Sequence, residues 1–212
     1  MENAAAHGDA GGKARATLYV VATPIGNLAD IGLRALEVLK SVDAVAAEDT
    51  RVTGRLLAHY GITQRLIPVH EHNEKRAVGQ VLALLAAGQS LALTCDAGTP
   101  AISDPGALLV AAVRSAGFPV TPVPGPNAAV AALSASGITA PHFLFYGFLP
   151  ERAAARRRAL SALAKLPFTL VFYEAPHRIT ESVADLRAAL GDNRRIVFAR
   201  ELTKLFETLH EC

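Results

Sequence analysis

Short apolar runs alternate with longer stretches of helical periodicity along the first part of the chain. The predicted strands, each with the helix that follows it, are residues 17–22 and 30–40, 44–47 and 50–60, 65–69 and 73–87, 90–94 and 107–116, and 119–123 and 127–136. Four of these helices are followed by a glycine, where a left-handed C-terminal cap favours that residue. Five consecutive strand-helix units predict an α/β protein with a mainly parallel five-stranded sheet.

The proline-rich segment PVPGP, residues 122–126, is predicted to end the fifth strand and to act as a hinge. After it the pattern starts again, with predicted strands 143–148, 168–173 and 195–200 and predicted helices 151–165 and 176–190. We therefore predict a flexible N-terminal tail over 1–16, an N-terminal α/β domain over 17–123 and a C-terminal α/β domain over 124–212. The second set leaves sheet edges open, so we expect this domain to be truncated.

Composition narrows the class of protein. Of 212 residues, 51% are apolar and 19% are charged, and no uncharged apolar run is long enough to span a membrane. The N-terminus lacks the apolar stretch of a signal peptide. Two cysteines, Cys95 and Cys212, form no disulfide or metal-binding pattern. We expect a soluble, cytoplasmic protein that needs no membrane.

One loop carries candidate chemistry: CDAGTPAISDPG, residues 95–106, directly follows the apolar run SLALT. Open α/β sheets bind ligands at the carboxyl ends of their strands, where this loop is predicted to lie. No Lys or Arg occurs between Gln89 and Val113, whereas Asp96 and Asp104 do, so a phosphate ligand is disfavoured. A neutral or cationic ligand such as S-adenosylmethionine, with its sulfonium, suits the loop. The alternative is a turn whose aspartates only cap backbone amides.

Two more rigid loops are predicted at the same edge of the sheet. They are ATPIGNL, residues 22–28, after the first strand, and PGPNAA, residues 124–129, after the fifth. Neither is the G-x-G-x-x-G fingerprint, because Pro24 and Pro126 stand where that fingerprint needs flexible glycine. An ordinary dinucleotide site is therefore disfavoured, while three rigid loops together favour a ligand site over three unrelated turns.

Seven segments then carry a resemblance to a known family: ATPIGNLADI, AAEDTRVTGRLLAHYGI, HEHNE, DAGTPAISDPG, PGPNAAVAALSASG, FYEAPHRI and ARELTK. On these segments the chain resembles the tetrapyrrole methylase superfamily from about Thr17 to Lys204. TPIGNL, EDTR and EAPHR resemble its 2′-O-ribose cytidine methyltransferase branch, which acts on small-subunit ribosomal RNA. They separate that branch from the precorrin and uroporphyrinogen methylases and from diphthine synthase. Chains of the family continue past this C-terminus.

The resemblance implies two α/β domains with S-adenosylmethionine bound in the cleft between them, usually in a homodimer. It also implies an enzyme that methylates the 2′-O of a cytidine ribose in 16S ribosomal RNA, presented as free RNA or as the assembled 30S subunit. The cofactor-binding residues predicted by motif are Pro24, Asp96, Ala97, Gly98, Thr99, Ala101, Ile102, Ser103, Tyr146, Gly147 and Phe148.

Methyl transfer to a ribose hydroxyl needs alignment above all, and a base or a cation helps because the hydroxyl is a weak acid. We predict Glu174 as the general base and Lys204 or Arg178 as the charge stabiliser. The predicted substrate-binding residues are Asn27, Glu48, Asp49, Arg51, Arg156 and Arg157. Further polar candidates near the strand ends are His72, Glu74, His177, Arg200 and Glu201. His70 and His72 form a pair that would need further ligands to bind a metal, and no third ligand has a recognisable spacing.

Several of these patterns have simpler interpretations. EDTR alone fits a Thr50 helix cap beside a surface ion pair. The basic helix with Arg152, RRR at 156–158 and Lys165 fits either a phosphate-binding surface or a solvated face. Two other functions share the predicted donor pocket: methylation of a tetrapyrrole-like small molecule or of a protein residue, and non-catalytic binding of an adenosine ligand.

Overall fold

The computed structural model describes residues 15–212, which form two compact units. The first unit holds the described residues up to Pro24 together with Leu28–Pro126, and the second holds Ile25–Asn27 and Asn127–Cys212. The sequence predicts the division after residue 123. Most of the predicted tail, residues 1–14, lies outside the described residues, while Ala16 is already buried in the core of the first unit.

The first unit is built on one sheet. Its strands are β1 (Leu18–Val21), β2 (Ala44–Ala47), β3 (Leu66–Pro68), β4 (Leu91–Thr94) and β5 (Val120–Val123). They lie in the order β3-β2-β4-β1-β5, and every neighbouring pair is parallel. The predicted α/β class and the five-stranded sheet are confirmed, and the sheet is wholly parallel.

Helices cover both faces of this sheet. They are α1 (Leu33–Ser41), α2 (Thr50–His59), α3 (Glu74–Ala86) and α4 (Ala107–Ser115), and a 3₁₀ turn (Leu28–Asp30) precedes α1. Ala46 packs on one face with Val81 of α3 and Leu109 of α4. Val45, the preceding residue, packs on the other face with Leu39 of α1. Both faces are therefore buried, as the unbroken apolar strands require.

Pro122, the first residue of the predicted hinge segment, lies inside the fifth strand, within the strand bounds 119–123 that the sequence predicts. β5 continues to Val123, with Pro122 in register with Val20 of β1. The sheet order makes β5 an edge strand, and proline is tolerated there because one side of the strand needs no ladder donor. The segment PVPGP, residues 122–126, therefore begins within the sheet, at the last two residues of β5.

The second unit contains two small sheets. Its elements are α5 (Ala128–Ala135), β6 (Phe143–Phe148), α6 (Ala153–Leu163), β7 (Thr169–Tyr173), a 3₁₀ turn (Pro176–Arg178), α7 (Ile179–Leu190), β8 (Val197–Arg200) and β9 (Thr208–Glu211). β6 and β7 are parallel, and β8 and β9 are antiparallel. The sequence does not predict β9, because four residues with a single large apolar side chain, Leu209, give no clear strand signal. Within residues 15–212, no helix has the length and apolarity needed to cross a bilayer.

Candidate functional site

The loops at the carboxyl ends of β1 and β4 are joined to each other. Thr23 and Gly98 form an isolated antiparallel bridge, with the Thr23 amide 2.8 Å from the Gly98 carbonyl and the Gly98 amide 3.0 Å from the Thr23 carbonyl. The Thr23 hydroxyl donates to the Cys95 carbonyl at 3.0 Å. Thr23, directly after β1, and the β4 loop therefore form one surface of the first unit, at the edge where parallel sheets bind ligands.

The β4 loop has an unusual backbone. Ala101 and Ser103 have φ values of 67° and 64°, in the left-handed region that residues with a Cβ seldom adopt. The amide of Ala101 donates to the Pro105 carbonyl, and the Thr99 hydroxyl donates to the Pro126 carbonyl at 3.1 Å. Conformations of this kind persist only where the surroundings fix them, and they concentrate at ligand sites. Ile102 and Ser103 are exposed at the tip of this fixed loop.

Carboxylates tie the β2 end to the β4 loop. Glu48 Oε2 accepts from the Asp96 amide at 3.2 Å, and Asp96 Oδ1 accepts from the Asp49 amide at 3.0 Å. Burial raises the pKa of Glu48, the hydrogen bond from the Asp96 amide lowers it, and the nearby charge of Asp104 raises it again. Burial also raises the pKa of Asp104. This acidic group, Glu48, Asp49, Asp96 and Asp104, is electrostatically suited to a cation and opposes phosphate.

Asp49, and not Thr50, caps α2. Its side chain accepts from the Arg51 amide at 2.8 Å, and the Arg51 guanidinium folds back onto the same carboxylate at 2.6 Å. Together these donors hold the pKa of Asp49 well below its usual range. The predicted surface ion pair is present, and Arg51 remains largely exposed to solvent.

A cavity of about 200 Å³ lies beside these loops in the first unit. Asp96, Pro24 and Cys95 line it from the strand ends, and Arg55 lines it from α2. Its other lining residues are Thr23, Leu28, Val52, Thr53 and Leu56. Sequence reasoning missed Val52 and Arg55; their spacing of three on α2 places them on one helix face and is the signal that could have found them.

Glu74 is structural. Its carboxylate is buried and accepts from the Gly106 amide at 3.0 Å and from the Leu109 amide at 3.1 Å, at the N-terminus of α4. A helix N-terminus favours a carboxylate there. The rings of His70 and His72 are 6.1 Å apart, and no group of three or more His, Cys, Asp or Glu in residues 15–212 is placed to hold a metal ion.

In the second unit, the predicted segment Tyr146, Gly147 and Phe148 lies at a bulge of β6. The register with β7 shifts between Phe145 and Gly147, and Gly147 has a φ of 82°. Gly147 is buried, while the side chains of Tyr146 and Phe148 are exposed. The bulge therefore turns two aromatic side chains outward around a buried glycine.

Glu174 is held by its own unit. It accepts from the Ala175 amide at 2.8 Å and from the Ser182 hydroxyl, and the Arg178 guanidinium lies 3.4 Å away. Its side chain is only 9% exposed. These contacts occupy both carboxylate oxygens at the start of α7. The general-base role stays a prediction, and so does charge stabilisation by Arg178, which also donates to the Leu149 carbonyl at 2.6 Å.

The remaining predicted catalytic residue, Lys204, lies on a turn after β8. Its ammonium group is 3.3 Å from the Glu201 carboxylate, and its side chain is 45% exposed. The stem of Lys204 passes directly over Gly26. The neighbouring residue Asn27, predicted on the substrate side, is exposed.

Arg156 departs from its predicted role. It is 2% exposed, its Nε is 2.7 Å from Asp185 Oδ2 on α7, and its Nη1 donates to the Glu151 carbonyl at 3.1 Å. A guanidinium enclosed in this way is not presented to RNA phosphates, so its inclusion with the substrate-binding residues is corrected. Arg157 is 59% exposed and lies on the solvent side of α6. The run RRR thus contains one interior and two surface arginines.

A wholly parallel five-stranded sheet, with a fixed and acidic loop at its strand ends, defines an α/β protein suited to a ligand that carries no phosphate. The chain belongs to the tetrapyrrole (corrin/porphyrin) methylases, whose family profile matches residues 17–212. The resemblance predicted from the motifs is confirmed.

Relatives agree with this membership, and solved structures agree with the fold. The chain is 55% identical over 193 residues to ribosomal RNA small subunit methyltransferase I of Escherichia coli O157:H7, covering 91% of this chain and 68% of that protein. It has the same identity to the enzyme of that name from Xylella fastidiosa strain Temecula1, covering 91% and 71%. The fold matches cobalt precorrin-4 methyltransferase with a TM-score of 0.68 at 18% identity, covering 92% of this chain and 84% of that one. It matches uroporphyrin-III C-methyltransferase from Thermus thermophilus with a TM-score of 0.65 at 23% identity, covering 93% and 84%.

Proposed function

We propose that the protein transfers a methyl group from S-adenosylmethionine to the 2′-O of a cytidine ribose in 16S ribosomal RNA. The observation that carries this proposal is the 55% identity, over 91% of the chain, to enzymes named ribosomal RNA small subunit methyltransferase I. We further propose that it acts in the cytoplasm as a homodimer, on RNA presented in the 30S subunit.

The first unit's strand-end loops supply residues that fit the donor. The acidic group of Glu48, Asp49, Asp96 and Asp104 favours a sulfonium cation, and burial, which raises the pKa of Glu48 and of Asp104, records the cost of holding those charges away from water. The fixed tip of the loop has Ala101 and Ser103 in left-handed conformations and exposes Ile102 and Ser103, and we assign adenosine binding to it. The residues proposed to contact the donor are Pro24, Asp96, Ala97, Gly98, Thr99, Ala101, Ile102, Ser103, Tyr146, Gly147 and Phe148, while the other carboxylates of the acidic group act through their charge.

The donor supplies a methyl carbon that the sulfonium has already activated. The ribose oxygen bonds to this carbon as the carbon–sulfur bond breaks with its electron pair on sulfur, and the hydroxyl proton leaves to solvent. The protein's task is to align the hydroxyl and to stabilise negative charge on its oxygen. We assign charge stabilisation to the half-exposed ammonium of Lys204. Glu174, whose oxygens are already hydrogen-bonded, holds Arg178 and the start of α7.

The acceptor requires cations that meet phosphates. The surface of α6 offers Arg157 and Arg158, and Arg152 and Lys165 lie just outside its two ends; all four are exposed. Arg51 at the start of α2 is also exposed, paired with Asp49. We propose that these side chains bind the RNA backbone and that the shape of the subunit, more than base stacking, selects the site.

A second candidate, methylation of a tetrapyrrole-like small molecule, is favoured by the fold. The solved structures it matches are named as uroporphyrin and precorrin methyltransferases. Both candidates share the donor site and differ only in the acceptor.

Labelled methyl transfer separates these functions. The full chain is incubated with methyl-labelled S-adenosylmethionine in three separate reactions. Each reaction contains one acceptor: purified 30S subunits, free 16S ribosomal RNA or uroporphyrinogen. We expect label in the 30S sample at a ribose whose 3′ linkage resists alkaline cleavage. Label on a base, on a ribosomal protein or on the porphyrin contradicts the ribose assignment. Calorimetry with S-adenosylmethionine and S-adenosylhomocysteine tests the shared premise, and an absence of binding contradicts both candidates.

A further inference from the structure

Gly26 and Lys204 are packed so closely that the glycine cannot bear a side chain without a shift. A Cβ built on Gly26 comes 2.6 Å from Lys204 Cγ and 2.9 Å from Lys204 Cε. It also comes 3.0 Å from the hydroxyl oxygen of Thr203. Both partners belong to the second unit. The contact with Cγ involves the base of the lysine stem, so the freely rotating tip alone cannot relieve it.

The turn that carries Lys204 is itself constrained. Glu201 and Thr203 have φ values of 52° and 67°, and for a β-branched residue such as Thr203 this is a rare conformation. The hydroxyl of Thr203 is buried and has no hydrogen-bond partner among the described residues. The turn is closed by the Lys204 amide, which donates to the Glu201 carbonyl at 3.0 Å, and by the Glu207 amide, which donates to the Lys204 carbonyl at 3.1 Å.

Strained conformations and buried unpaired polar groups both cost stability, so a chain retains them together where they serve geometry. The geometry here fixes the long lysine stem between a glycine and a rigid turn. It leaves the ammonium end half exposed and 3.3 Å from Glu201. A lysine side chain normally samples many rotamers on a surface, and a side chain at position 26 would displace the stem from the one seen here.

We infer that Gly26 is a positioning residue for the Lys204 ammonium group. The missing side chain at position 26 makes a seat for the lysine stem, and the seat aims the ammonium at the acceptor oxygen. This inference rests on the proposed methyl transfer and on Lys204 as its charge stabiliser. It adds a role for the glycine of the TPIGNL elbow that does not involve contact with a phosphate or with the donor.

The test uses the full chain with 30S subunits and compares Gly26→Ala with Gly32→Ala. A Cβ at Gly32 meets its nearest atom at 3.8 Å, which is an ordinary contact, so this variant is the matched control. We expect Gly26→Ala to lower kcat by about 10- to 100-fold, because a displacement of about 1 Å costs that much. The KM for the donor should change less than twofold. Equal kcat values for the two variants overturn the inference.

A double-variant cycle shows whether Gly26 acts through Lys204. Lys204→Ala removes the methylenes that meet the new Cβ, so adding Gly26→Ala to it should cost no further activity. If the two losses of activity multiply in the double variant, the inference that Gly26 acts through Lys204 is wrong. If Gly26→Ala does not fold, recovery of folding in the double variant supports the inference. Failure of both to fold overturns it, because the backbone and not Lys204 then requires glycine.

A chemical readout separates this inference from the proposed function. Acetylation of Lys204, followed by peptide mass spectrometry and referenced to the exposed Lys165, should be faster in Gly26→Ala than in the parent chain. If the acetylation rate of Lys204 relative to Lys165 is unchanged, Gly26 does not hold the Lys204 stem, whether or not methyl transfer is found. If acetylation is faster in the variant but the parent chain transfers no methyl group, the contact between Gly26 and Lys204 stands. The proposed function then fails, and with it the catalytic role assigned to that contact.

Discussion

The first unit satisfies the buried carboxylate of Glu74 with backbone amides, whereas the second unit pairs the buried carboxylate of Asp185 with a buried guanidinium. Glu74 of the first unit accepts from two amides of the β4–α4 connection. In the second unit Arg156 and Asp185 pair across α6 and α7. A carboxylate bonded to amides fixes the path of a loop, while an ion pair between helices fixes how the helices pack. The comparison therefore ties the buried carboxylate of the first unit to the geometry of its β4–α4 connection, and the buried ion pair of the second unit to the packing of α6 against α7.

The largest effect that tests this division is the loss of the Arg156 pair. Arg156→Ala leaves Asp185 buried with only the more distant Arg157, so we expect unfolding to become easier by about 3–5 kcal/mol. Urea denaturation followed by circular dichroism measures this. Arg158→Ala, on the exposed side of α6, is the control and should change stability by less than about 0.5 kcal/mol. Similar values for the two variants contradict the structural role of Arg156.

The next effect concerns the donor. Asp96→Lys removes the acceptor of the Asp49 amide and places a cation in the acidic group, so we expect donor affinity to fall by about 100-fold. Titration calorimetry with S-adenosylmethionine measures the change. Asp96→Asn keeps an acceptor for the amide and should lose much less. A donor affinity that Asp96→Lys leaves intact removes the β4 loop from the donor site.

The sequence allowed the sheet and its loops to be predicted because those features have local causes. Unbroken apolar runs such as AVAA became buried parallel strands at the predicted residues, and the glycines after helices, Gly61 among them, have the predicted positive φ. The family followed from short motifs whose order along the chain is itself information. These predictions needed no knowledge of which distant residues meet.

What could not be predicted depends on such meetings. Nothing local distinguishes Arg156 from Arg157; only the position of Asp185 on α7 makes one interior and leaves the other exposed. Glu74 looks like a polar candidate until α4 is placed over it. β9 pairs with the edge of β8, and Gly26 lacks room for a side chain because Lys204, far away in sequence, lies against it. Residue type and spacing alone carry none of these contacts.

A smaller effect separates RNA contact from packing on α6. Arg157→Glu reverses an exposed charge, so we expect the KM for 30S subunits to rise by about 10-fold and the salt dependence of binding to weaken by about one unit of log–log slope. Donor affinity and stability should stay nearly unchanged, because the contact between Arg157 and Asp185 is long and partly exposed. Filter binding at several salt concentrations measures the slope. An equal loss of donor affinity contradicts the assignment of RNA contact to α6.

The smallest predicted effect is a pH dependence of donor binding that arises from the acidic group. Burial raises the pKa of Glu48 and of Asp104, so both take up protons at higher pH than ordinary carboxylates when the pH falls from 7 towards 5. We expect affinity for S-adenosylmethionine to fall by about threefold over this range, because the sulfonium loses negative neighbours. S-adenosylhomocysteine has no sulfonium and is the matched control.

Stability should move in the opposite direction over the same range. A carboxyl whose pKa is raised in the folded state favours folding while it is protonated, and this contribution is lost as pH rises through the folded pKa. The double variant Glu48→Gln, Asp104→Asn isolates the contribution: its stability advantage over the parent chain should be present at pH 7 and shrink towards pH 5.

In the affinity measurement, equal losses for S-adenosylmethionine and S-adenosylhomocysteine as the pH falls contradict a role for charge at this edge of the sheet. They indicate instead that acid alters the shape of the β4 loop, and the first unit then binds its ligand by loop geometry alone.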